Sequence, residues 1–471
     1  MAERKRIYLC LAHMSEEGIE QKYIKEAFDT NWVVPLGPNV NGFEKDLEEF
    51  LASPPPSPEG KGGDRGRLSR VVALSSGTAA IHLALIGCGV GPGDEVIVQS
   101  FTFCASSHPV TYLGATPVFV DSERETWNID PELLEYAIKD RITKTGKKPK
   151  AIIPVALYGM PYRIDEIMAI ADRYEIPVIE DAAEGFGSRY NGQMLGTFGR
   201  YGALSFNGNK MITTSGGGAL ICSPTSEQDG WGGADTIMWY ATQARESYPY
   251  YQHEKIGYNY RMSNICAGIG RGQMTVANKH IEHHKHVQSL YEELLADVPG
   301  ISVHCQPQQT CPLKNANGEQ DVYDSNYWLC TITLAPELRI KGQENAYKSV
   351  IKSAVGGAAG VIHEAETATT DCQPNDNVEA LRVYLDRAGI EARPVWKPMH
   401  CQPVYRQGVV KMENISTKDE DIVCQTSDSS VAYINGISED IFKIGMCLPA
   451  GPYVSDDDVR YIVEKIRAAI D

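Results

Sequence analysis

The chain has 471 residues, a net charge of −17 and a hydrophobic fraction of 42%. It is long enough for two domains with full cores, and its acidic balance argues against binding nucleic acid through the phosphates. The twelve cysteines include no Cys-x-x-Cys pair, which in a chain of this length indicates reduced thiols. No signal peptide and no apolar run of about 18 residues can be recognised, so we expect a cytoplasmic protein with no membrane partner.

Seven short apolar runs between residues 71 and 222 predict β-strands. The runs are continuous rather than alternating, as in strands that are covered on both faces of a mostly parallel sheet. Amphipathic stretches such as 164–171 lie between them and predict helices. The pattern therefore predicts one large α/β domain. The runs start at Val71, Glu95, Thr116, Ala151, Pro177, Gly202 and Gly218.

The pattern changes after about residue 270, where a smaller α+β domain is predicted. Its elements are a long polar helix over 271–295, a strand around 327–332 and a last helix that Ser455 caps. The predicted domains are thus 1–270 and 271–471. Three stretches lack the periodicity of buried elements and predict surface loops. These loops span residues 53–70, 354–377 and 411–437.

The first strand is followed by a turn that suits a phosphate. Ser76, Gly77 and Thr78 come directly after this strand and precede an apolar helix. The start of a helix offers free N–H groups and the positive end of its dipole. Gly77 allows close approach of a ligand, and the two hydroxyls add hydrogen-bonding groups. An ordinary helix N-cap is the alternative interpretation.

Two other strands end in residues that could hold a flat, protonated ring. Asp181 follows the run that starts at Pro177, and a carboxylate buried there needs a partner such as a pyridinium nitrogen. Phe103 follows the run from Glu95 and could stack on the ring. An acidic helix cap and a core phenylalanine are the respective alternatives.

Lys210 lies in the turn after the sixth run, five residues beyond Ser205. A lysine that is partly desolvated at the end of a rigid element can attack an aldehyde cofactor, and Ser205 could hold a phosphate beside it. A solvated surface lysine is the alternative. Because ligands of open α/β sheets bind at the carboxyl ends of the strands, these motifs together match a pyridoxal phosphate site.

The chain resembles the fold-type I pyridoxal phosphate enzymes and, among them, the DegT/DnrJ/EryC1/StrS family of sugar aminotransferases. The resemblance runs from about residue 7 to the C-terminus, with the three predicted loops as departures. It implies an α/β fold with a mostly parallel seven-stranded sheet and a smaller C-terminal α+β domain. The motifs that carry it are Asn31–Val40, Ser76–Ala80, Glu180–Ala183, Ser205–Lys210, Gly257–Asn264 and Arg393–His400.

The resemblance also implies roles for single residues. Lys210 would bind the cofactor covalently and act as general acid and base, while Asp181 would pair with the pyridine nitrogen. Asn259 is similar to the asparagine that reaches the phosphate from the neighbouring subunit, which implies a homodimer with shared active sites. Further cofactor contacts are implied for Ser76, Gly77, Thr78, Phe103, Glu184 and Ser205. Substrate contacts are assigned to Trp32, Arg393 and His400.

The implied reaction moves an amino group from L-glutamate to a nucleotide-linked 4-keto-6-deoxy sugar. The Trp396–His400 segment is similar to that of enzymes acting on UDP-linked N-acetyl-4-ketohexosamines, which favours amination at C4. GDP-4-keto-6-deoxymannose and dTDP-ketosugars (C3 or C4) remain open. A sugar dehydratase is disfavoured because such members carry histidine in place of Lys210. A non-catalytic regulator is disfavoured because Lys210, Asp181 and Ser205 are all present.

No metal site is predicted. His280, His283, His284 and His286 lie on one predicted helix, but their charged neighbours favour a solvated helix face. The glycine run Gly87–Gly93 follows a helix and precedes a strand, which is the reverse of a dinucleotide-binding fingerprint. We interpret it as a helix C-cap and a turn.

Overall fold

The apolar runs of the sequence become strands, and the amphipathic stretches between them become helices. The computed structural model describes residues 4–52, 69–228, 232–314, 318–347, 372–407, 411–416 and 421–471. The strands in chain order are β1 (Arg70–Leu74), β2 (Glu95–Gln99), β3 (Thr116–Val120), β4 (Ala151–Ile153), β5 (Ile179–Asp181), β6 (Arg189–Tyr190), β7 (Gln193–Met194), β8 (Tyr201–Ser205), β9 (Gly218–Cys222), β10 (Ile301–Val303), β11 (Tyr323–Asp324), β12 (Cys330–Leu334), β13 (Arg393–Pro394), β14 (Lys411–Ser416), β15 (Asp421–Thr426), β16 (Val431–Ile434) and β17 (Gly445–Leu448).

The helices lie mostly between these strands. In chain order they are α1 (Ile19–Asp29), α2 (Pro38–Leu51), α3 (Gly77–Gly87), α4 (His108–Tyr112), α5 (Pro131–Thr145), α6 (Ile164–Tyr174), α7 (Pro224–Gln228), α8 (Ala234–Ala241), α9 (Asn264–Met274), α10 (Ala277–Leu295), α11 (Pro307–Thr310), α12 (Asp376–Arg387), α13 (Pro403–Arg406), α14 (Ile437–Ile444) and α15 (Asp456–Ala469). Short 3-10 turns span Cys104–Ser106, Leu157–Gly159, Gln343–Asn345 and Met399–Cys401. Within the described ranges, no helix combines the length and the apolarity that crossing a bilayer requires.

All seven predicted runs form strands of one large, mostly parallel sheet. The order β1-β9-β8-β5 continues through parallel bridges between β5 and β4, at Ile152–Val178 and Val155–Asp181, into β4-β2-β3. Only β9 is antiparallel to its neighbours in this part of the sheet, pairing with β1 and β8. The inner strands are buried on both faces, as continuous apolar runs predict.

The interpretation of residues 411–437 as a surface loop is wrong where the structure describes strands, over 411–416, 421–426 and 431–434, while residues 417–420 lie outside the described residues. β16 pairs in parallel with β3, and β15 and β14 extend the sheet outward in antiparallel order. Helix α14 begins at Ile437. These strands escaped recognition because the outer two carry several polar and charged residues, as is usual at a sheet edge. The large sheet therefore has more strands than the predicted seven, and it recruits a segment from beyond the predicted boundary at residue 270.

The smaller unit is built on the sheet β10-β12-β17-β13. Helices α10, α12 and α15 cover it with a separate core, which Ile7 from the chain start joins. Ile7 also forms a parallel bridge with Ile390. The predicted cap of the last helix is confirmed, since Ser455 and Asp458 form a capping box at the start of α15. The loops predicted over 53–70 and 354–377 lie largely outside the described residues.

Two helix interpretations need correction. The helix predicted over 271–295 is two helices, α9 and α10, separated at Thr275 and Val276. The histidines of α10 do not form a solvated face, because His280 and His284 are buried on the side packed against the core. His284 Nδ1 lies 3.1 Å from the carbonyl oxygen of Tyr327. The C-cap and turn predicted over 87–93 are confirmed by the end of α3 at Gly87 and the positive φ of Gly89.

The topology brings the carboxyl ends of several strands to one edge of the sheet. β2, β4, β5 and β8 run in the same direction, and β1 joins them because β9 is antiparallel to both β1 and β8. The residues that follow β1, β2, β5 and β8 therefore meet at the carboxyl edge, where ligands of such sheets bind.

Candidate active site

The turn after β1 and the end of β8 form a small cradle at this edge. Ser76 caps α3, and its Oγ accepts the N–H of Ala79 at 3.0 Å. A Cβ on Gly77 would lie 3.1 Å from the Cβ of Ser205, and a Cβ on Gly218 would lie 2.4 Å from the Gly77 nitrogen. The missing side chains let the start of α3 rest directly on β8 and β9. Free N–H groups at this helix start suit a phosphate.

Asp181 lies at the end of β5, with 5% of its surface exposed. Its Oδ2 accepts a hydrogen bond from the Ser106 hydroxyl at 2.6 Å, and its Oδ1 accepts the N–H of Ala183 at 3.1 Å. The Thr102 Oγ1 lies within hydrogen-bond distance of the Ser106 Oγ, at 2.7 Å. Burial raises the pKa of Asp181, while the Ser106 and Ala183 hydrogen bonds and the charge of Lys210 lower it. A cation beside this carboxylate would offset its burial.

The neighbouring Glu180 points to the opposite face of the sheet from Asp181, because successive side chains of a strand alternate between the two faces. Its buried carboxylate accepts the backbone N–H groups of Gly196, Phe198 and Gly199 at 2.6–2.9 Å. These bonds close the turns between β7 and β8 on the far side of the sheet. Of the two adjacent carboxylates, only Asp181 joins the cluster that contains Lys210.

Lys210 is held by a buried carboxylate. Its Nζ lies 3.1 Å from Oε1 of Glu184, and the two side chains are only 13% and 3% exposed. The same Nζ lies 4.1 Å from the centre of the Trp328 ring, a distance at which a cation is attracted to the ring face. The backbone of Lys210 is fixed as well, since its N–H donates to the Asn207 carbonyl at 3.0 Å. Lys210 is therefore a partly desolvated, oriented amine and not a solvated surface lysine.

Glu184 binds the backbone of Tyr158 with its other oxygen. The Tyr158 N–H donates to Oε2 at 2.8 Å. Burial raises the pKa of Glu184 to about 7, although the charge of Lys210 lowers it. Tyr158 has the left-handed φ of 54°, a conformation that is unusual for a non-glycine residue. Its hydroxyl accepts the N–H of Trp396 at 2.8 Å, which ties the segment after β13 to the site.

Aromatic side chains form one wall of the site. The Phe103 and Trp396 ring centres are 5.4 Å apart, and those of Tyr158 and Trp396 are 5.3 Å apart. Phe103 is 55% exposed, so one side of its ring is open to a ligand. Trp328 is almost fully buried, and its indole N–H donates to the Asn209 carbonyl at 2.7 Å. Such a wall suits a planar ring or the face of a sugar.

Four residues that shape the site could not be recognised in the sequence: Ser106, Tyr158, Asn326 and Trp328. Asn326 donates through Nδ2 to the carbonyls of Glu184 and Phe186 at 2.8 and 2.9 Å. It therefore fixes the turn that carries Glu184, and it does so from a segment more than a hundred residues away in the sequence. No local motif marks these residues.

The structure places the remaining predicted residues outside this central cluster. Thr78 is half-buried in the first turn of α3. Asn259 is exposed, and its backbone forms an antiparallel β-bridge with Thr242. Trp32 is 39% exposed. The Arg393 guanidinium pairs with Glu391 at 2.7 Å, and its side chain is 48% exposed.

His400 is buried away from the cluster, with both ring nitrogens occupied. Its Nδ1 lies 2.6 Å from the Ser100 Oγ, and its Nε2 lies 3.1 Å from Oε1 of Glu439. Ser100 directly follows β2. His400 therefore links the end of β2 to α14.

The residues present fit pyridoxal phosphate. The cradle between Gly77, Ser205 and Gly218 is a position that a Cβ would fill, and it offers N–H groups and hydroxyls to a phosphate. Asp181 supplies the buried acceptor that a pyridinium nitrogen requires, and Lys210 supplies the amine. The spacing of these groups along the carboxyl edge follows from the strands β1, β5 and β8 that carry them.

Comparisons with known proteins agree with this chemistry. Residues 14–316 match the DegT/DnrJ/EryC1/StrS aminotransferase family. EpsN of Bacillus subtilis (strain 168) is 38% identical over 460 residues, which cover 98% of this chain and 95% of EpsN. The GDP-perosamine synthase of Escherichia coli O157:H7 is 30% identical over 460 residues, 98% of each chain. The crystal structure of a DegT DnrJ EryC1 StrS aminotransferase from Brucella abortus has a TM-score of 0.70 at 26% identity, covering 96% of this chain and 95% of that one.

The fold and the site thus define a pyridoxal phosphate-dependent aminotransferase with the fold-type I architecture. Within that class, the chain belongs to the DegT/DnrJ/EryC1/StrS aminotransferase family.

Replacing Gly218 by alanine should weaken cofactor binding. The new Cβ would overlap the Gly77 nitrogen and the Ser76 carbonyl carbon, each 2.4 Å away, so the start of α3 must move from β9. We expect a cofactor affinity at least about tenfold lower, a loss of roughly 1.4 kcal/mol, in a titration of the cofactor-free enzyme. Gly216→Ala is the matched control, because no atom lies within 4 Å of its Cβ position. Equal affinities of the two variants would contradict the proposed cradle.

Replacing Glu184 by glutamine should change how stability depends on pH. The pKa of Glu184 in the folded chain, about 7, exceeds its ordinary value of 4.5. The stability that this carboxyl contributes is therefore complete below pH 4.5 and is lost as the pH rises through 7. Between pH 4.5 and a pH above 7, the free energy of unfolding of Glu184→Gln should therefore rise relative to that of the native protein by up to about 3 kcal/mol. Urea unfolding of the cofactor-free proteins measures this difference, and parallel stability curves would contradict it.

Proposed function

We propose that the protein transfers the amino group of L-glutamate to C4 of a nucleotide-linked 4-keto-6-deoxy sugar, a UDP-linked N-acetyl-4-ketohexosamine, in glycan or surface-polysaccharide biosynthesis. The observation that carries the proposal is the buried Lys210 amine, held 3.1 Å from Glu184 in the same cluster as Asp181. An amine in this place supports amino transfer. Sugar dehydratases of the same family carry histidine at this position, so the lysine speaks against dehydration.

Each residue of the cluster has a distinct task. Pyridoxal phosphate, when bound, supplies the electron sink. Lys210 would hold the cofactor through its Nζ, and the same amine, when free, would carry the proton that amino transfer has to move. Asp181 keeps the proton on the ring nitrogen. Glu184 orients the Lys210 amine, and a carboxyl with a pKa near 7 can exchange a proton with that amine at neutral pH.

We assign the substrates to the open side of the site. The exposed face of Phe103 and the Trp396 ring form a surface on which a sugar or a base could stack. Arg393 is the candidate for binding the glutamate carboxylate, because a guanidinium can exchange Glu391 for the carboxylate of the donor. Trp32 lies on an exposed segment and would contact the sugar nucleotide. His400 would act indirectly, since it is buried and its ring nitrogens lie against Ser100 and Glu439.

A GDP-linked 4-keto-6-deoxy sugar is the second candidate. The relative named GDP-perosamine synthase aligns over 98% of both chains, so its name supports a GDP-sugar as directly as the Trp396–His400 motif supports a UDP-sugar. The two candidates share the amino donor, the cofactor and the keto group. They differ in the nucleotide and in the N-acetyl group.

We also propose that the enzyme is a homodimer in which Asn259 reaches the phosphate of the partner's cofactor. Large apolar side chains are exposed around this residue, with Ile256 at 84% and Tyr251 at 81%. A second exposed apolar run covers residues 32–36. Exposed patches of this kind are typical of protein interfaces.

A panel of nucleotide ketosugars tests the proposed reaction. Native enzyme with L-glutamate should convert the UDP-linked N-acetyl-4-ketohexosamine to its aminosugar, detected by mass. Lys210→Ala should lower turnover by on the order of a thousandfold or more, because it removes both the covalent attachment and the proton carrier. Lys147→Ala, at an exposed position, should retain native turnover. Conversion of the GDP-sugar alone would favour the second candidate, and an active Lys210→Ala variant would exclude both.

A charged substitution in the exposed patch tests the dimer. Ile256→Glu should shift the native mass in light scattering from dimer to monomer, because a carboxylate would have to be buried in the interface. It should also weaken cofactor binding, since Asn259 would no longer be supplied. Val322→Glu, at another exposed apolar position, should remain dimeric. A monomeric native enzyme with full activity would contradict shared sites.

A further inference from the structure

A cluster of metal-binding side chains lies apart from the cofactor cluster. Cys372 precedes α12, Cys401 ends the Met399–Cys401 turn and Glu439 lies in the first turn of α14. The two sulfur atoms and a carboxylate oxygen all lie within 4.8 Å of one another. Among the described residues, this is the one group of at least three His, Cys, Asp or Glu donors that approach so closely. Three separate segments thus direct donor atoms to one point.

The two thiols of the cluster are buried, and the carboxylate is partly exposed. Cys372 and Cys401 are 5% and 4% exposed, and the Glu439 side chain is 29% exposed. The Glu439 carboxylate is oriented by the His400 Nε2 at 3.1 Å, and His400 is oriented in turn by the Ser100 Oγ at 2.6 Å. Carboxylates that bind metals are commonly held by such secondary hydrogen bonds.

We propose that Cys372, Cys401 and Glu439 bind one zinc ion. Thiolates and carboxylates are donors that Zn²⁺ accepts, and a tetrahedral ion with Zn–S distances of about 2.3 Å holds two sulfurs about 3.8 Å apart. The donors already lie within 4.8 Å of one another, so side-chain shifts of roughly 1 Å bring them to these distances. The fourth position is left to water. The two thiols lose their protons when the ion binds.

The carboxylate favours a metal over a disulfide or the packing of two thiols. A disulfide between Cys372 and Cys401 would need only the two sulfurs and would not account for the approach of the Glu439 carboxylate to both of them. Simple packing of buried thiols would place apolar groups beside them, and not a carboxylate that a histidine holds in place. A zinc ion would offset two of the three negative charges that Glu439 and the two thiolates carry together, and the two thiolates are the buried ones.

The ion would fasten the segment before α12 and helix α14 to the turn that follows Trp396. Trp396 donates its N–H to Tyr158 and contacts Phe103 in the aromatic wall. The Met399 N–H also donates to the carbonyl of Ser100 at 2.8 Å. The ion would therefore tie these three segments together and support one wall of the active site from behind.

Zinc titration of the full-length holoenzyme tests the site. The enzyme is kept reduced, treated with a chelator, dialysed and titrated with ZnCl₂ against a chromophoric chelator. Native enzyme should bind one zinc ion per chain, and the ion should raise the unfolding temperature. Cys372→Ser and Glu439→Gln should each bind zinc at least tenfold more weakly and lose the thermal shift. Cys266→Ser, a half-buried cysteine on α9, should behave as the native enzyme does.

Three results would overturn the proposal. The first is a reduced native enzyme that binds no stoichiometric zinc. The second is a folded Cys372→Ser variant, judged by circular dichroism, with native zinc affinity. The third is a Cys372–Cys401 disulfide that forms in air even when zinc is present, seen in peptides digested without reductant. None of these measurements depends on turnover, so their outcome is independent of the proposed reaction.

Discussion

The active site depends on buried charges that must be matched. Asp181 and Glu184 are 5% and 4% exposed, and two carboxylates in one desolvated region are costly unless cations compensate them. Lys210 provides one positive charge, 3.1 Å from Glu184. Asp181 has hydrogen bonds but no ion pair of its own among the described residues, and a protonated pyridine nitrogen would complete the charge balance. The requirement for matched charge explains why lysine, aspartate and glutamate are held so tightly relative to one another.

The rest of the fold provides the rigidity that this balance requires. Parallel strands bring the residues after β1, β2, β5 and β8 to one edge, and glycine at residue 218 lets the start of α3 rest on the sheet. Asn326 fixes the turn of Glu184 from the segment that leads into the smaller unit. The exposed fraction of Lys210 is small because Trp328, which follows Asn326 closely in the chain, covers it. Both structural units therefore contribute to the site.

Much of this arrangement could be predicted from local sequence. Continuous apolar runs identified every strand from β1 to β9 that belongs to the central sheet. The ends of those runs pointed to Asp181, Ser205 and Lys210, and the sheet topology brings these residues to the same edge. Residues that act across long sequence distances could not be found in this way. Trp328 and Asn326 reach the site only through the packing of the two units, and Tyr158 only through an unusual backbone conformation.

Other features were missed because the same pattern has two physical outcomes. Polar residues at 411–426 are compatible with a loop and with strands at a sheet edge. They form strands because β15 pairs with β16, and β16 in turn pairs with β3 of the central sheet. The histidines of α10 have charged neighbours, but a helix has two sides, and His280 and His284 lie on the inner one. The thiol of Cys372 gains its chemical neighbours only when residues 401 and 439 fold against it.

Borohydride reduction of the holoenzyme tests the central claim most directly. Reduction makes the covalent link between the cofactor and its lysine permanent, and peptide mass spectrometry then locates the lysine. The matched-charge account predicts that the peptide containing Lys210 carries the added mass of the cofactor and that other lysine peptides do not. An unmodified Lys210, or a cofactor attached to a different lysine, would contradict it.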